Sequence, residues 1–212
     1  MGNSVTLKTL TDMIRKYFSL ERSEEENIQD LNQLRKVLHE VSPFAQEPVD
    51  CVLWVKCVEV VANDYNPNVM APSEKKLLKQ SLEMDGFTQP VVVSKENNHY
   101  LVVDGFHRQL LGRKAATGKR LHGWLPVACI NPDRKGRAIQ IATTIRHNRA
   151  RGKHQITSMS DIVRDLSRLG WTNERIGTEL GMEQDEILRL KQISGLTELF
   201  QDAEFSPAWT VR

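Results

Sequence analysis

The sequence predicts a mixed α/β domain at residues 49–155, between a helical extension (1–48) and a helix-turn-helix-like three-helix unit (156–212). Three patterns carry that expectation. Val-rich strand segments alternate with short helical ones through the middle of the chain. Apolar residues recur every three or four positions before it. Three short helical patterns with glycine turns follow it. The 212 residues suffice for one sizeable core, and 40% apolar and 26% charged residues are ordinary for a globular chain.

Residues 4–20 and 24–41 are expected as two amphipathic helices. In the second, Ile28, Leu31, Leu34, Val37, Leu38 and Val41 recur at helical spacing. Ser23 serves as its N-cap, Glu24, Glu25 and Glu26 fill its first turn, and Pro43 ends it. No chemistry resides here, and the extension reads as a surface for self-association, with a homodimer as the expected assembly. Residues 49–61 read as a strand and a short turn, and 63–68 as a loop rich in Asn and Asp. Residues 73–84 form a helix capped by Ser73, with Leu77, Leu78, Ser81 and Leu82 on one face and Gly86 at its end. Residues 90–93 and 100–103 are strands joined by a hairpin turn at 96–99. A turn at 104–108 opens a helix to about residue 116. Then come a strand at 125–130 and a helix at 136–148. Residues 159–169, 173–180 and 185–194 are three short helices, with turns at Gly170 and Gly181.

Several function classes are excluded. No run of about 18 apolar residues exists to span a membrane, and the first residues lack the apolar core of a secretion signal. Cys51, Cys57 and Cys129 form no Cys-x-x-Cys pair, which suits reduced thiols in a cytoplasm and small buried hydrophobes rather than a redox pair. No Cys/His spacing fits zinc, so no metal site is expected, and neither a Walker A nor a Gly-x-Ser-x-Gly sequence is present. The net charge is only +2, but Lys and Arg concentrate between residues 104 and 154 while Asp and Glu predominate between 158 and 200. That asymmetry points to a polyanionic partner for the middle of the chain.

Two constellations could hold such a partner. At Asp104–Arg108 a strand passes through Gly105 into a helix. Glycine allows a ligand close to the backbone, the helix start offers free N–H groups, and the forked Arg108 donor suits a phosphate. His107 adds a donor, and Asp104 could orient a metal ion or hold the turn. Further on, Arg146, His147, Arg149, Arg151, Lys153 and His154 crowd a helix end more densely than capping requires, with Thr144 and Asn148 one turn apart. A third pattern, at 172–196, places Ile176, Leu180, Ile187 and Leu190 across a turn at Gly181, the spacing of a helix-turn-helix. Its second helix opens with Glu183, Asp185 and Glu186, which face phosphates unfavourably, and only Arg189 and Lys191 oppose them.

These residues together resemble a known family. Asn66-Pro67, Leu77 with Ser81-Leu82, the run from Gly86 to Val91, and Gly105-x-x-Arg108 resemble the N-terminal domain of ParB partition proteins. Asn148-x-x-Arg151 resembles that family's third nucleotide motif. The resemblance covers 49–196, implies a ParB/sulfiredoxin-like fold, and is nearest to ParB-like regulators of the IbrB type, co-activators of prophage genes. It implies a nucleotide, CTP or ATP/ADP, held by Gly105, His107, Arg108, Asn148 and Arg151, with Mg as a candidate companion ion. Gln89, Phe106, Thr144, His147 and Arg149 complete the candidate nucleotide-binding set. It also implies a DNA-associated transcriptional role and a phosphoadenosine phosphosulfate reductase-like protein partner. Two positions depart from pattern. His147 stands where ParB usually has Glu, against an unchanged ParB switching motif. Phe106 stands where sulfiredoxin has its catalytic Cys, which excludes sulfinic-acid repair. The same fold includes a free-serine kinase with a similar Asp-Gly-x-His-Arg turn. The alternative function is therefore a small-molecule kinase or nucleotide hydrolase in the same pocket, with Glu59 and Asp104 as catalytic carboxylates and Asp64 as a further candidate.

Overall fold

The computed structural model describes residues 6–64, 70–114, 119–131, 133, 136–149 and 156–200, without the side chains of 148, 149, 156–158 and 196–200. The chain divides into two compact units, residues 1–54 and 55–212.

In the first unit, α1 (Leu7–Phe18) is capped by Thr6, whose hydroxyl accepts from the Thr9 N–H at 3.2 Å. α2 (Glu24–Glu40) opens with the expected Ser23 cap. Ser23 Oγ accepts from the Glu26 N–H at 3.2 Å, and the Glu26 carboxylate accepts from the Ser23 N–H at 2.9 Å. The Ser23 hydroxyl, donating to that carboxylate at 2.7 Å, and then the return N–H bond lower the Glu26 carboxyl pKa from its ordinary value. The two helices meet where Tyr17 donates to Asp30 at 3.0 Å and Arg22 pairs with Asp30 at 2.6 Å. Neither helix buries a single residue.

The sheet has the order β1-β5-β3-β4-β2, with β1 (Val52–Lys56), β2 (Val60–Val61), β3 (Val91–Lys95), β4 (Tyr100–Asp104) and β5 (Trp124–Cys129). β3 and β4 form the expected antiparallel hairpin, whereas β5 runs parallel to β3 and β2 parallel to β4. Its interior is the Val-rich set that the strand pattern predicts, with Val60, Val91, Val93, Val102 and Val127 completely buried. Near the end of β4 the ladder slips. Val93 faces Val102 but Val92 faces Asp104, so Val103 is an extra residue, a β-bulge. Both Val102 and Val103 are consequently buried, and so is Asp104.

α3 (Pro72–Met84) begins one residue earlier than expected, because Pro72 occupies the first helical position and its missing N–H costs nothing there. Ser73 therefore does not cap. Ala71 is the N-cap, and its N–H donates to the Glu74 carboxylate at 3.0 Å. Leu82 is buried, but Leu77 is exposed: five residues earlier on the helix, it points well away from Leu82. The cysteines are free thiols, as expected, but each is half-buried rather than buried. Burial still pushes the Cys51 thiol pKa up.

α4 (Phe106–Gly112) follows the turn after β4, and α5 (Arg137–Arg149) follows β5. Then come α6 (Ile156–Arg168), α7 (Asn173–Leu180) and α8 (Gln184–Phe200). Thr172 caps α7, accepting from the Arg175 N–H at 3.3 Å, and Gly181 makes the left-handed turn into α8 at φ 64°. Gly177 allows that turn to pack tightly, since a Cβ there would lie 2.9 Å from the Met182 carbonyl. The expected apolar face, Ile176, Leu180, Ile187 and Leu190, is buried. It shares one hydrophobic cluster with Val163, Leu166 and Trp171, and with Ile141, Ala142 and Ile145 of α5. α5 also packs on β4, and Gln140 reaches Ser94 Oγ of β3 at 3.4 Å. One helix thus serves two faces, the sheet and the helical unit.

Candidate anion site at the end of strand β4

The β-bulge sets the site. Past the extra residue, Asp104 faces Val92 across the ladder and is buried at the strand end, just before Gly105. Gly105 turns the chain at φ 87°, a left-handed conformation that favours glycine, and becomes the N-cap of α4. Its missing side chain matters too. A Cβ there would lie 3.0 Å from Arg108 Nη2 and 3.1 Å from Arg108 Nε, so the guanidinium lies over the glycine backbone. Arg108 is fixed from two sides. Its Nη1 donates to Gln89 Oε1, and its Nη2 lies 3.5 Å from the Asp104 carboxylate. Only 12% of the Arg108 side chain and 4% of the Asp104 side chain is exposed. A buried carboxylate that compensates a buried guanidinium keeps the fork charged and oriented.

α4 is seven residues long. Its dipole is correspondingly short, so Arg108 rather than the helix supplies the main positive charge at this turn. The helix is seated by Gln109, which is buried and donates to the Val60 carbonyl at 3.0 Å, and by Gly112, where a Cβ would lie 2.5 Å from Leu125 Cδ2. Phe106 and His107 are half-buried, with their rings edge to face at 5.3 Å.

The other candidates fall as follows. Thr144 lies on α5, 1% exposed, and its hydroxyl has no hydrogen-bond partner among the described residues. Such a group costs about 1–3 kcal/mol in a folded chain. His147 is half-buried one turn further along the same helix. Asn148 and Arg149 continue that helix, their side chains outside the described residues, as is Arg151 altogether. Glu59 is not brought to Asp104. It is exposed in the turn before β2, where its carbonyl accepts from the Tyr100 N–H at the opposite end of β4. Asp64 is exposed and pairs with Arg137 at 3.1 Å. Among the described residues no group of three or more His, Cys, Asp or Glu side chains could hold a metal ion.

Sequence reasoning missed Asn63. It is 8% exposed, donates to the Val102 carbonyl at 2.8 Å, and its own Oδ1 has no partner among the described residues. Its place among turn residues hid it, since Asn is common in loops for purely local reasons. The basic block also changes character. Arg120 donates to the Leu82 carbonyl at 2.7 Å, and Arg146 pairs with Glu179 of α7. Several of those cations therefore bind the protein itself.

A mixed sheet with an arginine-bearing glycine turn at one strand end, followed by a helix-turn-helix, is the arrangement that the ParB/sulfiredoxin-like resemblance implies. A family model described as the IbrB-like C-terminal HTH domain matches residues 154–202. The chain is 54% identical over 214 residues to the uncharacterized protein YbdM of Escherichia coli (strain K12), with 100% of both chains covered. It belongs to the same family as YbdM, and its C-terminal part matches the IbrB-like HTH domain. Solved ParB structures match at low identity. The Caulobacter crescentus protein bound to the centromeric parS site is 16% identical at a TM-score of 0.47, with 70% of this chain and 74% of that one covered. The same protein with CTP-gamma-S is 13% identical at 0.39, covering 71% and 86%. A Pnob8-like ParB-N domain is 11% identical at 0.46, covering 71% and 73%. No described helix is long and apolar enough to cross a membrane.

Proposed function

We propose that the chain is a nucleotide-responsive, DNA-associated regulator whose phosphate-binding element is the turn at Asp104–Arg108. One observation carries the reading: a nearly buried guanidinium, laid over a glycine backbone and held from two sides, in a protein that also retains a buried, unpartnered threonine hydroxyl on α5. A fixed fork of donors suits a phosphate oxygen pair. Gly105 and Arg108 take the phosphates. Gln89 positions Arg108, and Thr144 and Asn63 offer buried polar atoms for the rest of the nucleotide. His147, Asn148, Arg149 and Arg151 extend the basic edge from α5.

α5 supplies the route from ligand to DNA. It packs on β4, buries Thr144, places Ile141, Ala142 and Ile145 in the core of the helical unit, and pairs Arg146 with α7. Occupancy that shifts α5 shifts the helix-turn-helix with it. The acidic first turn of α8 favours a DNA contact that depends on this placement rather than on net charge. A co-activator role with a reductase-like protein partner is consistent with that scheme.

Isothermal calorimetry of the full chain with CTP, ATP and ADP, with and without Mg, tests the reading against Arg108→Ala. Micromolar binding of at least one nucleotide, lost in the variant, is expected; no binding by the wild type refutes it. The transferase or hydrolase alternative draws no support from Glu59, and Asp104 could ligate Mg only by releasing Arg108. Mg-dependent turnover abolished by Asp104→Asn would establish it instead.

A further inference from the structure

We infer that α1 and α2 form the interface between two copies of this chain, each α1 facing the α2 of the other copy. The inference is independent of the nucleotide reading. It starts from two amphipathic helices that bury nothing. On α1 the apolar seam Leu7, Leu10, Ile14 and Tyr17 has the spacing of a helix that packs against another helix, and Met13 widens it. Leu7 is 77% exposed and Met13 62%, and on α2 Leu38 is 63% exposed and Val37 49%. An open groove of about 370 Å³ runs between the helices, lined by Leu10, Met13 and Ile14 on one side and Leu34 and Val37 on the other. Two short helices with their apolar faces in water are marginal alone and gain stability by covering those faces.

Charge selects the occupant. α1 carries Lys8, Arg15 and Lys16 against Asp12. α2 carries Glu24, Glu25, Glu26, Asp30 and Glu40 against Arg35 and Lys36. A two-fold axis that places α1 of one copy on α2 of the other brings opposite signs together twice. An anionic membrane would attract α1 but repel the carboxylates of α2 beside it. A second copy satisfies both helices, and the product is a four-helix bundle.

Sedimentation velocity of the full chain over a concentration series tests this, with three variants. Met13→Lys with Val37→Glu removes the apolar seam. Lys8→Glu with Lys16→Glu reverses α1, and Glu25→Lys with Glu40→Lys reverses α2. A wild-type dimer is expected, with each variant weakened about tenfold or more, the equivalent of about 1.4 kcal/mol. Mixing the two charge-reversed variants restores a heterodimer of wild-type strength, which a merely misfolded variant cannot do. A monomeric wild type, a dimer indifferent to all three changes, or a mixture no stronger than its components overturns the proposal. So does binding of wild-type monomer to phosphatidylserine vesicles in place of dimerisation.

Discussion

Arg108→Ala removes a charged fork that Gln89 and Asp104 hold in place, and leaves Asp104 as a buried carboxylate without that partner. Nucleotide affinity is expected to fall by at least about tenfold, since hydrogen bonds to charged groups contribute about 1.5–3 kcal/mol. Thr144→Val separates stability from function. It deletes an unpartnered buried hydroxyl, so melting should shift upward by the equivalent of about 1 kcal/mol while nucleotide affinity drops. A melt and a titration on the same preparation decide it; a destabilised variant of unchanged affinity would remove Thr144 from the site. In the first unit, His39 Nδ1 lies 2.6 Å from Asp50, and this bond, aided by Ser42, holds the Asp50 carboxyl below its ordinary 3.8. A depressed carboxyl stabilises the fold above the unfolded pKa and loses that contribution as pH falls through the folded one. The His39–Asp50 contact should thus be intact at neutral pH and open only below pH 3.8, as NMR shifts of Asp50 and Ser42 would report.

Helix α4 shows what an element needs beyond its own sequence. Gly112→Ala would push a methyl group 2.5 Å from Leu125 Cδ2 and 3.0 Å from Phe87 Cζ. Overpacking of this kind costs about 1–3 kcal/mol, which should appear as a lower melting temperature and a displaced Arg108. Periodicity gave no warning, because a glycine inside a helix reads as a weakness until its neighbours are known. The hairpin β3–β4, the Ser23 capping box and the turn at Gly181 were legible, each resting on residues adjacent in the chain. The cap of α3 was misplaced because Ser73 is a good cap in isolation, and Pro72 outranks it. At the site, Gly105 and Arg108 could be read from their spacing. Asn63 and the seating of Gln109 on Val60 depend on contacts 39 and 49 residues apart, which no local pattern encodes.

The helix-turn-helix matches residues 154–202 as a family unit, yet its hydrophobic cluster includes Ile141, Ala142 and Ile145 of α5. A fragment starting at 154 is expected to lack the part of that cluster that α5 supplies, including its packing on α7. It should show a broad, low-temperature melt by circular dichroism, whereas one starting at 133 melts cooperatively. Equal melts would mean that α5 is dispensable to that core. The same sharing makes α5 an element of unit 2 that touches both the sheet and the helical core. Arg146→Ala breaks the pair with Glu179 and should leave nucleotide affinity within about threefold while weakening any nucleotide effect on DNA binding. Gel shifts with and without ligand read that difference.

The extra residue at Val103 gives this protein an unusual sensitivity to length. Strands tolerate substitution by trading one side chain for another, but a bulge counts residues. Deleting Val103 would restore a regular ladder with Asp104 still opposite Val92, but it would remove the local bend and twist that the bulge puts into β4 and so re-aim Gly105 and Arg108 beyond it. The site is therefore written in spacing as much as in chemistry. A variant that keeps every named ligand residue and loses one valine should lose the ligand.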